Sequence, residues 1–366
     1  MTDGANDLNK LRIEMDRLDD ALLKLLNERA TVSKKIGETK RAQGEATVVF
    51  RPEREAHILR RLQDTNAGPL PNVALSRIYH EIMSASSALQ RPIRVAYLGP
   101  AGTFSEQAVI KQFGRSALAV PCANFDEVFR RTETGETDFS VVPVENSTEG
   151  AISRALDLLL LSPLKICSEV VVRVQQNLMR KRAGMDGITK VYSHAQSLAQ
   201  TQGWLNRNLP GVDRVTVESN AEAARLASLD DSTAAIAGAN AAENFGLMIL
   251  SPSIEDDPTN RTRFIVAGQV EAQRSGRDRT WLVMSAPNKP GAVHALLTPF
   301  AKHGVSMTKL ESRPAKIASM PGTWEYLFYV DIEGHQQDTV VANALDELKS
   351  IAPYLKIFGS FPVGDY

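Results

Sequence analysis

Arg29 stands where a hydrophobic side chain is expected, and this is the first sign of chemistry in the 366-residue chain. From residue 8 the apolar positions step by three and four: Leu8, Leu11, Met15, Leu18, Leu22, Leu25, then Val32 and Ile36. Such steps draw one stripe along a helix. The next step from Leu25 lands on Arg29. Lys40 follows 11 residues later, a rotation of about 1100° that brings it back to within roughly 20° of Arg29. Cations on an apolar seam are costly without an anionic partner, so the pair points to a pocket for an anion; the bland alternative is a solvated charged face. Arg12 lies about 100° away round the helix and points elsewhere. Arg54 and Glu55 open the next helical segment, and Ser86 and Gln90, four apart, share a face of a third.

A second group of polar residues collects where apolar strands give way to helices. Gly99-Pro100-Ala101-Gly102-Thr103-Phe104-Ser105 follows one strand, Glu145-Asn146-Ser147-Thr148-Glu149-Gly150 another, and Ser193-His194-Ala195-Gln196 a third, with Gln200 one turn on. Thr262-Arg263-Phe264 begins a fourth. Strand ends of an open α/β sheet converge on one crevice, and small residues leading into a helix suit an anion through free N–H groups. Each motif alone is also ordinary capping and turn chemistry, and His194 alone reads as structural.

The chain lacks GxGxxG and GxSxG signatures, which weakens dinucleotide and hydrolase readings. Two cysteines, Cys122 and Cys167, and six histidines without ligand spacing give no disulfide scaffold or zinc site. No metal and no cofactor are expected. With 42 Lys and Arg against 43 Asp and Glu, the chain lacks the cation excess of a nucleic-acid binder. Residues 10–61 nevertheless hold 13 Lys and Arg against nine acids, a local excess suited to a small dianion. No stretch approaches the roughly 18 apolar residues of a membrane span, and the opening MTDGANDLNK has no apolar signal region, so a cytoplasmic protein is expected.

The elements that must position these residues fall into three zones, expected as domains over 1–91, 93–270 and 279–366. The first is all-α: a helix running to about Gln43, a second from Pro52 to about Thr65, and a third marked by Val73, Ile78, Ile82 and Leu89. One very long helix and two short ones close no monomeric core, so a helical dimer is expected. The second zone alternates strands (93–98, 139–144, 189–192, 214–218, 233–237, 262–267) with helices (105–113, 150–161, 196–207, 220–229, 239–245), which reads as α/β with mostly parallel sheet, in one domain or two lobes. The third reads strand 280–286, helix 290–302, strand 304–311, strand 325–332, helix 337–350, strand 354–359. That βαββαβ order is a ferredoxin-like sandwich.

The run LRIEMDRLDDALLKLLNERATVSKKIGETK followed by RPERE resembles the all-helical chorismate mutase domain over residues 8–90. The resemblance implies interlocked three-helix subunits that hold chorismate folded while it rearranges to prephenate. It implies that Arg29 and Arg12, the latter from the partner subunit, clamp the two carboxylates. Lys40 and Gln90 donate to the ether oxygen, Glu55 accepts from the substrate hydroxyl, and Arg54 and Ser86 complete the pocket. Arg51 borders it, where the family often has an acidic residue.

GPAGTFS, PVENSTEG, VYSHAQSLAQ and NRTRF, in that order, resemble prephenate dehydratase over about 93–270. This implies a two-lobed, type II periplasmic-binding-protein-like fold with the site between lobes, yielding phenylpyruvate, CO2 and water. By the resemblance Thr262 serves proton delivery to the leaving hydroxyl, while Asn146, Ser193 and Gln200 hold the substrate. Thr103, Ser105 and Ser147 bind carboxylates. Arg263 binds or balances a carboxylate, or pairs structurally, and Phe264 shapes the pocket floor.

Lys289-Pro290-Gly291-Ala292-Val293 and Glu311-Ser312-Arg313-Pro314 on the βαββαβ frame resemble the ACT domain, with Val293 where leucine is common and an irregular loop over 315–323. The resemblance implies a phenylalanine site framed by Gly291, Ala292, Val293 and Glu311, Ser312, Arg313, Pro314 at an ACT–ACT interface. The combined expectation is a bifunctional isomerase and lyase of phenylalanine synthesis, inhibited by its end product, in a homodimer or a dimer of dimers, without nucleic-acid or membrane partners. Two alternatives stay open: a cytosolic ligand-binding regulator without turnover, and a dehydratase whose mutase is impaired by Arg51.

Overall fold

A computed structural model describes residues 3–43, 50–287, 289–314 and 326–364. The loop expected over 315–323 lies outside the described residues. The chain divides into two compact units, one of Met1–Arg51, Ile58–Ile93 and Phe113–Leu118, the other of Pro52–His57, Arg94–Gln112 and Ala119–Tyr366.

The first unit is helical, as expected. Helix α1 (Asp3–Ala42) and α3 (Asn72–Ala88) pack together. Helix α2 (Pro52–Thr65) opens with proline at its first position, where the missing N–H costs nothing, and its residues Pro52–His57 count with the second unit. Gly37 allows close approach of α1 to the end of α3: a Cβ there would sit 3.0 Å from Gln90 Cβ. The heptad stripe of α1 is open along its length, with Leu11 and Leu25 each 62 % exposed.

The second unit holds two further sheets and their helices, then the ACT-like module. In the first lobe the strand order is β2-β1-β3-β11-β5, with β1 (Arg94–Leu98), β2 (Leu118–Cys122), β3 (Phe139–Asn146), β5 (Lys165–Arg173) and β11 (Arg261–Gly268), and a short β4 (Gly150–Ala151) beside β3. Helices α4 (Phe104–Phe113) and α5 (Phe125–Glu133) come first, and the helix expected from 150 starts later, as α6 (Ser153–Leu161). The second lobe has the order β10-β6-β9-β7-β8, from β6 (Asn177–Arg180), β7 (Lys190–Ser193), β8 (Asp213–Thr216), β9 (Thr233–Ala237) and β10 (Met248–Ser251), with helices α7 (Ala195–Gln200), α8 (Gln202–Asn208), α9 (Asn220–Leu229) and α10 (Ala239–Phe245).

The expectation of mostly parallel sheet is corrected. β1–β3, β7–β8 and β7–β9 are parallel, but β11 runs antiparallel to both β3 and β5, and β6 antiparallel to β9 and β10. The cause is topological: the chain leaves the first lobe at the end of β5 and returns only at β11, entering the sheet at the end by which it left and running back beside β5. The two crossing segments are tied together where Val174 N–H donates to the Asn260 carbonyl at 2.9 Å. The strands absent from the sequence reading (β2, β5, β6, β10) lack clean alternation; β5 reads KICSEVVVR, an apolar run broken by a glutamate.

The third zone is the expected sandwich. β12 (Asp278–Ala286), α11 (Ala292–Lys302), β13 (Met307–Pro314), β14 (Tyr326–Glu333), α12 (Thr339–Ile351) and β15 (Leu355–Pro362) form an antiparallel sheet ordered β13-β14-β12-β15. One face packs under α11 and α12 through Leu282, Met284, Leu296, Leu345 and Leu348. The other shares a core with the first lobe, where Trp281, Tyr329, Phe358 and Phe361 meet Leu156, Leu159, Ile166 and Ile265. Gly359 of β15 crosses β5 so closely that an added Cβ would lie 2.1 Å from the Ile166 carbonyl oxygen. No described helix is long and apolar enough to cross a membrane. Gly359→Ala should cost roughly 1–3 kcal/mol or more through overpacking; an unchanged thermal midpoint would mean that β15 and β5 do not touch in solution.

Candidate active sites

In the helical unit, α1 and α3 bring Arg29, Ser86 and Gln90 together. Arg29 Nη1 donates to the Ser86 hydroxyl and to the Ile82 carbonyl at 3.4 Å, and Ser86 Oγ donates to the same carbonyl at 2.6 Å. Ser33, absent from the sequence reading, links the set: it donates to the Ser86 carbonyl at 2.9 Å and accepts from Gln90 Nε2 at 2.8 Å. Lys40 lies half-buried one turn beyond Gly37, while Arg12 is exposed. Seventeen residues of helix separate Arg12 from Arg29, about 25 Å along the axis, too far for one subunit to close both round one small molecule.

Arg51 is exposed in the extended segment just before α2, and Arg54 and Glu55 lie on the first turn of that helix. Burial of its carboxyl, and then the neighbouring Glu53, push Glu55 up to about 8. At neutral pH this carboxyl is mostly protonated and can donate as well as accept, a property that spacing alone does not reveal.

In the two-lobed region Asn146 ends β3 directly across from Thr262 on β11. Its amide nitrogen donates to Thr262 Oγ1 at 3.0 Å, to Asn260 Oδ1 at 2.9 Å and to the Arg261 carbonyl at 3.3 Å. Its amide oxygen accepts from Thr148 N and Glu149 N at 3.0 and 3.2 Å. Asn146 is thus fixed from both ends, and Thr262 is nearly enclosed. Ser147 is exposed; its Oγ accepts from Arg261 N at 3.0 Å. Asn260 belongs to the NRTRF run, so this partner was visible in the sequence though unassigned.

Ser193 is the clearest change of role. It is fully buried, donating to the Asn220 side chain and the Ile236 carbonyl at 2.9 and 2.8 Å. Its hydroxyl holds the loop from within and is not presented to a ligand. Asn220 Nδ2 donates to Ser197 Oγ, which also accepts from Gln176 Nε2, and that amide reaches Gln200 Oε1 at 3.3 Å. Asn220 and Gln176 sit in no recognisable motif. His194 caps α7 (Ala195–Gln200) through Nδ1, the structural role expected of it.

The loop over 99–105 also differs from expectation. Gly102 N–H is taken by the chain's own Glu106 carboxylate at 2.7 Å. Thr103 Oγ1 accepts from Glu106 N at 3.4 Å, a helix-capping contact, and Ser105 is buried. The anion expected here is supplied internally.

Arg263 is corrected as a candidate for the same cleft as Thr262. Neighbouring residues of a strand face opposite ways, and Arg263 faces the ACT module. Its Nε donates to Glu169 at 2.8 Å, its Nη1 to Asp331 at 2.6 Å, and its guanidinium lies 5.1 Å from the Trp281 ring centre. Arg279 adds a second contact to Glu169 at 3.0 Å. Phe264, 1 % exposed, is a core residue.

In the ACT module Gly291 caps α11 with φ +78, a conformation that disfavours other residues. Ala292 is buried and Val293 partly so. Glu311, Ser312, Arg313 and Pro314 end the edge strand β13, with Ser312 and Pro314 exposed. Arg313 turns toward α6, within 3.3 Å of Asp157 and 3.4 Å of the Ser153 carbonyl.

A helical pocket that gathers Arg29, Ser86 and Gln90, a two-lobed region with a threonine at a strand end, and a βαββαβ module define a modular enzyme of aromatic acid metabolism. Residues 11–91 match the chorismate mutase type II family, 95–272 the prephenate dehydratase family and 280–350 the ACT domain. The chain is 50 % identical over 96 % of both lengths to the bifunctional chorismate mutase/prephenate dehydratase of Neisseria gonorrhoeae, and 44 % identical over 98 % of both to that of Stutzerimonas stutzeri. A solved prephenate dehydratase from Arthrobacter aurescens, in complex with L-Phe, is 33 % identical with TM-score 0.67, covering 74 % of this chain and 90 % of its own. The chain belongs to the bifunctional chorismate mutase/prephenate dehydratase family: an isomerase and a lyase in phenylalanine synthesis.

The raised Glu55 predicts a pH signature. Above about pH 8 its carboxyl ionises and would repel a dianionic substrate. Mutase kcat/KM should fall through that range in the wild type and stay level in Glu55→Gln; coincident profiles would remove Glu55 from the pocket.

Proposed function

We propose that Thr262 delivers the proton that turns prephenate's ring hydroxyl into water. The observation that carries this reading is the 3.0 Å bond from Asn146 Nδ2 to Thr262 Oγ1. Asn146 donates there, so it occupies an acceptor lone pair and leaves the threonine O–H free to point at substrate. Donation into the oxygen also makes that O–H a better donor. The bond to the ring carboxylate breaks and its electron pair enters the ring. The C–O bond breaks toward the hydroxyl, which leaves as water with the proton relayed through Thr262, a proton from water restores the threonine O–H in the same step, and CO2, water and phenylpyruvate result. Gln200 is the polar group proposed to orient the substrate, with Asn146 positioning Thr262; Ser147 lines the opposite cavity with Glu145 and Arg263 and is not assigned to substrate.

Arg29, Lys40, Gln90 and Ser86 of the helical unit are proposed to bind chorismate, and on the resemblance to the mutase family Arg54 and Glu55 of α2 are proposed to serve the same substrate. The ether oxygen, where negative charge develops, would receive Lys40 and Gln90. Arg12 would come from a second copy across the open stripe of α1, making the enzyme a homodimer at least. L-Phenylalanine is proposed as effector of the ACT module, a reading supported by the relative whose structure contains it, and the enzyme is proposed to act in the cytoplasm.

Feeding chorismate to purified protein separates the steps. Thr262→Ala should accumulate prephenate with dehydration slowed about 10²-fold or more, and Lys40→Ala should leave chorismate unconsumed to a similar degree. Dehydration surviving in Thr262→Ala would sink its assignment. Leu22→Glu on the exposed stripe should abolish mutase activity, spare dehydratase activity and lower the mass by light scattering; unchanged mass together with unchanged mutase activity would count against the stripe as an interface.

A further inference from the structure

The residues behind Thr262 and Asn146 form a cluster that catalysis does not use. Strand neighbours face opposite ways. The pairing of Thr262 with Asn146 on one face of β11 and β3 is therefore matched on the other by Arg263 with Glu145, one register position along. Each member of this rear pair is held by the ACT module. Asp331 of β14 binds Arg263 at 2.6 Å, and Lys309 of β13 binds Glu145 at 2.8 Å. Lys309 and Asp331 are themselves register partners across β13 and β14. Two cross-strand pairs thus meet face to face, with opposite charges matched.

Four features make this quartet more than an adhesive contact. Lys309 also binds Glu311 at 3.1 Å, the first residue of the ESRP run on the same strand. On the far side, the register of β11 against β3 shifts between Arg263 and Phe264, and such irregularities re-aim neighbouring side chains. The four residues also line a cavity of about 360 Å³ with Ser147 and Thr308, so the charged ends have room to move. Arg263 and Asp331 are almost sealed from solvent, while Lys309 and Glu145 keep 23 % and 32 % of their side-chain surface. A buried pair resists separation, and a partly hydrated one exchanges partners at low cost. Lys309 can therefore trade Glu145 against Glu311.

We infer that the Arg263–Glu145–Lys309–Asp331 quartet is the element by which occupancy of the ACT module sets the geometry of Thr262 and Asn146. Lys309 is its adjustable member, and all four are positioning residues. The inference rests on the proposed phenylalanine reading.

Lys309→Met in the full chain tests it, because Lys309 belongs to neither active site. Calorimetry should show the variant still binding L-phenylalanine, with a mutase rate close to wild type. Inhibition of dehydration by saturating L-phenylalanine should weaken about fivefold or more. Amide exchange over 144–147 and 261–264 should be faster than in wild type without effector and should no longer respond to it. An inhibition curve matching wild type overturns the inference, as does loss of phenylalanine binding, which would place Lys309 in the effector site. Wild-type protein that neither binds nor responds to L-phenylalanine would instead defeat the effector reading. The quartet is then decided by exchange alone, and unchanged exchange in Lys309→Met rejects it.

Discussion

β11 lies between β3 and β5, antiparallel to both, and the second unit depends on that insertion. It is the strand on which the chain returns after building the second lobe. Its first residues set Thr262 against Asn146, and its middle sends Ile265 and Ala267 into the core shared with Trp281 and Phe358. Hydrogen bonding along both edges restrains the strand from sliding. A change that reaches Thr262 must therefore tilt or re-aim the end of the strand, near its register shift at Arg263.

The ACT sheet imposes the matching constraint. Both of its faces are buried, one under its own helices and one against the first lobe. Charges in such a seam need partners from the other side, because a buried ion that loses its partner costs far more than a surface pair gains. Glu169, Arg263, Arg279 and Asp331 meet that requirement across the seam, with Arg263 shared between a dehydratase strand and an ACT strand. Apolar packing alone tolerates small shifts; these paired charges demand one register.

Much of this was legible in the sequence because local rules agreed with the fold. The three–four stripe on α1, Pro52 at a helix start and the βαββαβ order each follow from period and turn chemistry. The missed strand β5 shows where such rules stop: Glu169 interrupts an apolar run, and its partners Arg263 and Arg279 lie 94 and 110 residues away. Spacing placed Thr262 and Arg263 together, yet adjacent strand residues cannot serve one cleft. The sheet register assigns one to the site and the other to the seam. Asn220 and Gln176 were invisible for a related reason, since their bonds join segments that only the folded lobe brings together. Glu55 needed burial, which sequence does not state, to become a proton donor.

The two activities differ in what can regulate them. Arg29, Ser33, Ser86 and Gln90 are bonded among α1 and α3 of the helical unit, without an ACT residue in the set. Thr262 and Asn146 stand on strands whose rear faces the ACT module holds by charge. An effector shifts an equilibrium only through contacts that differ between its states. The contacts that reach from the ACT module to Arg263 and Glu145 lead to the strands of the second reaction, the step that turns prephenate into phenylpyruvate.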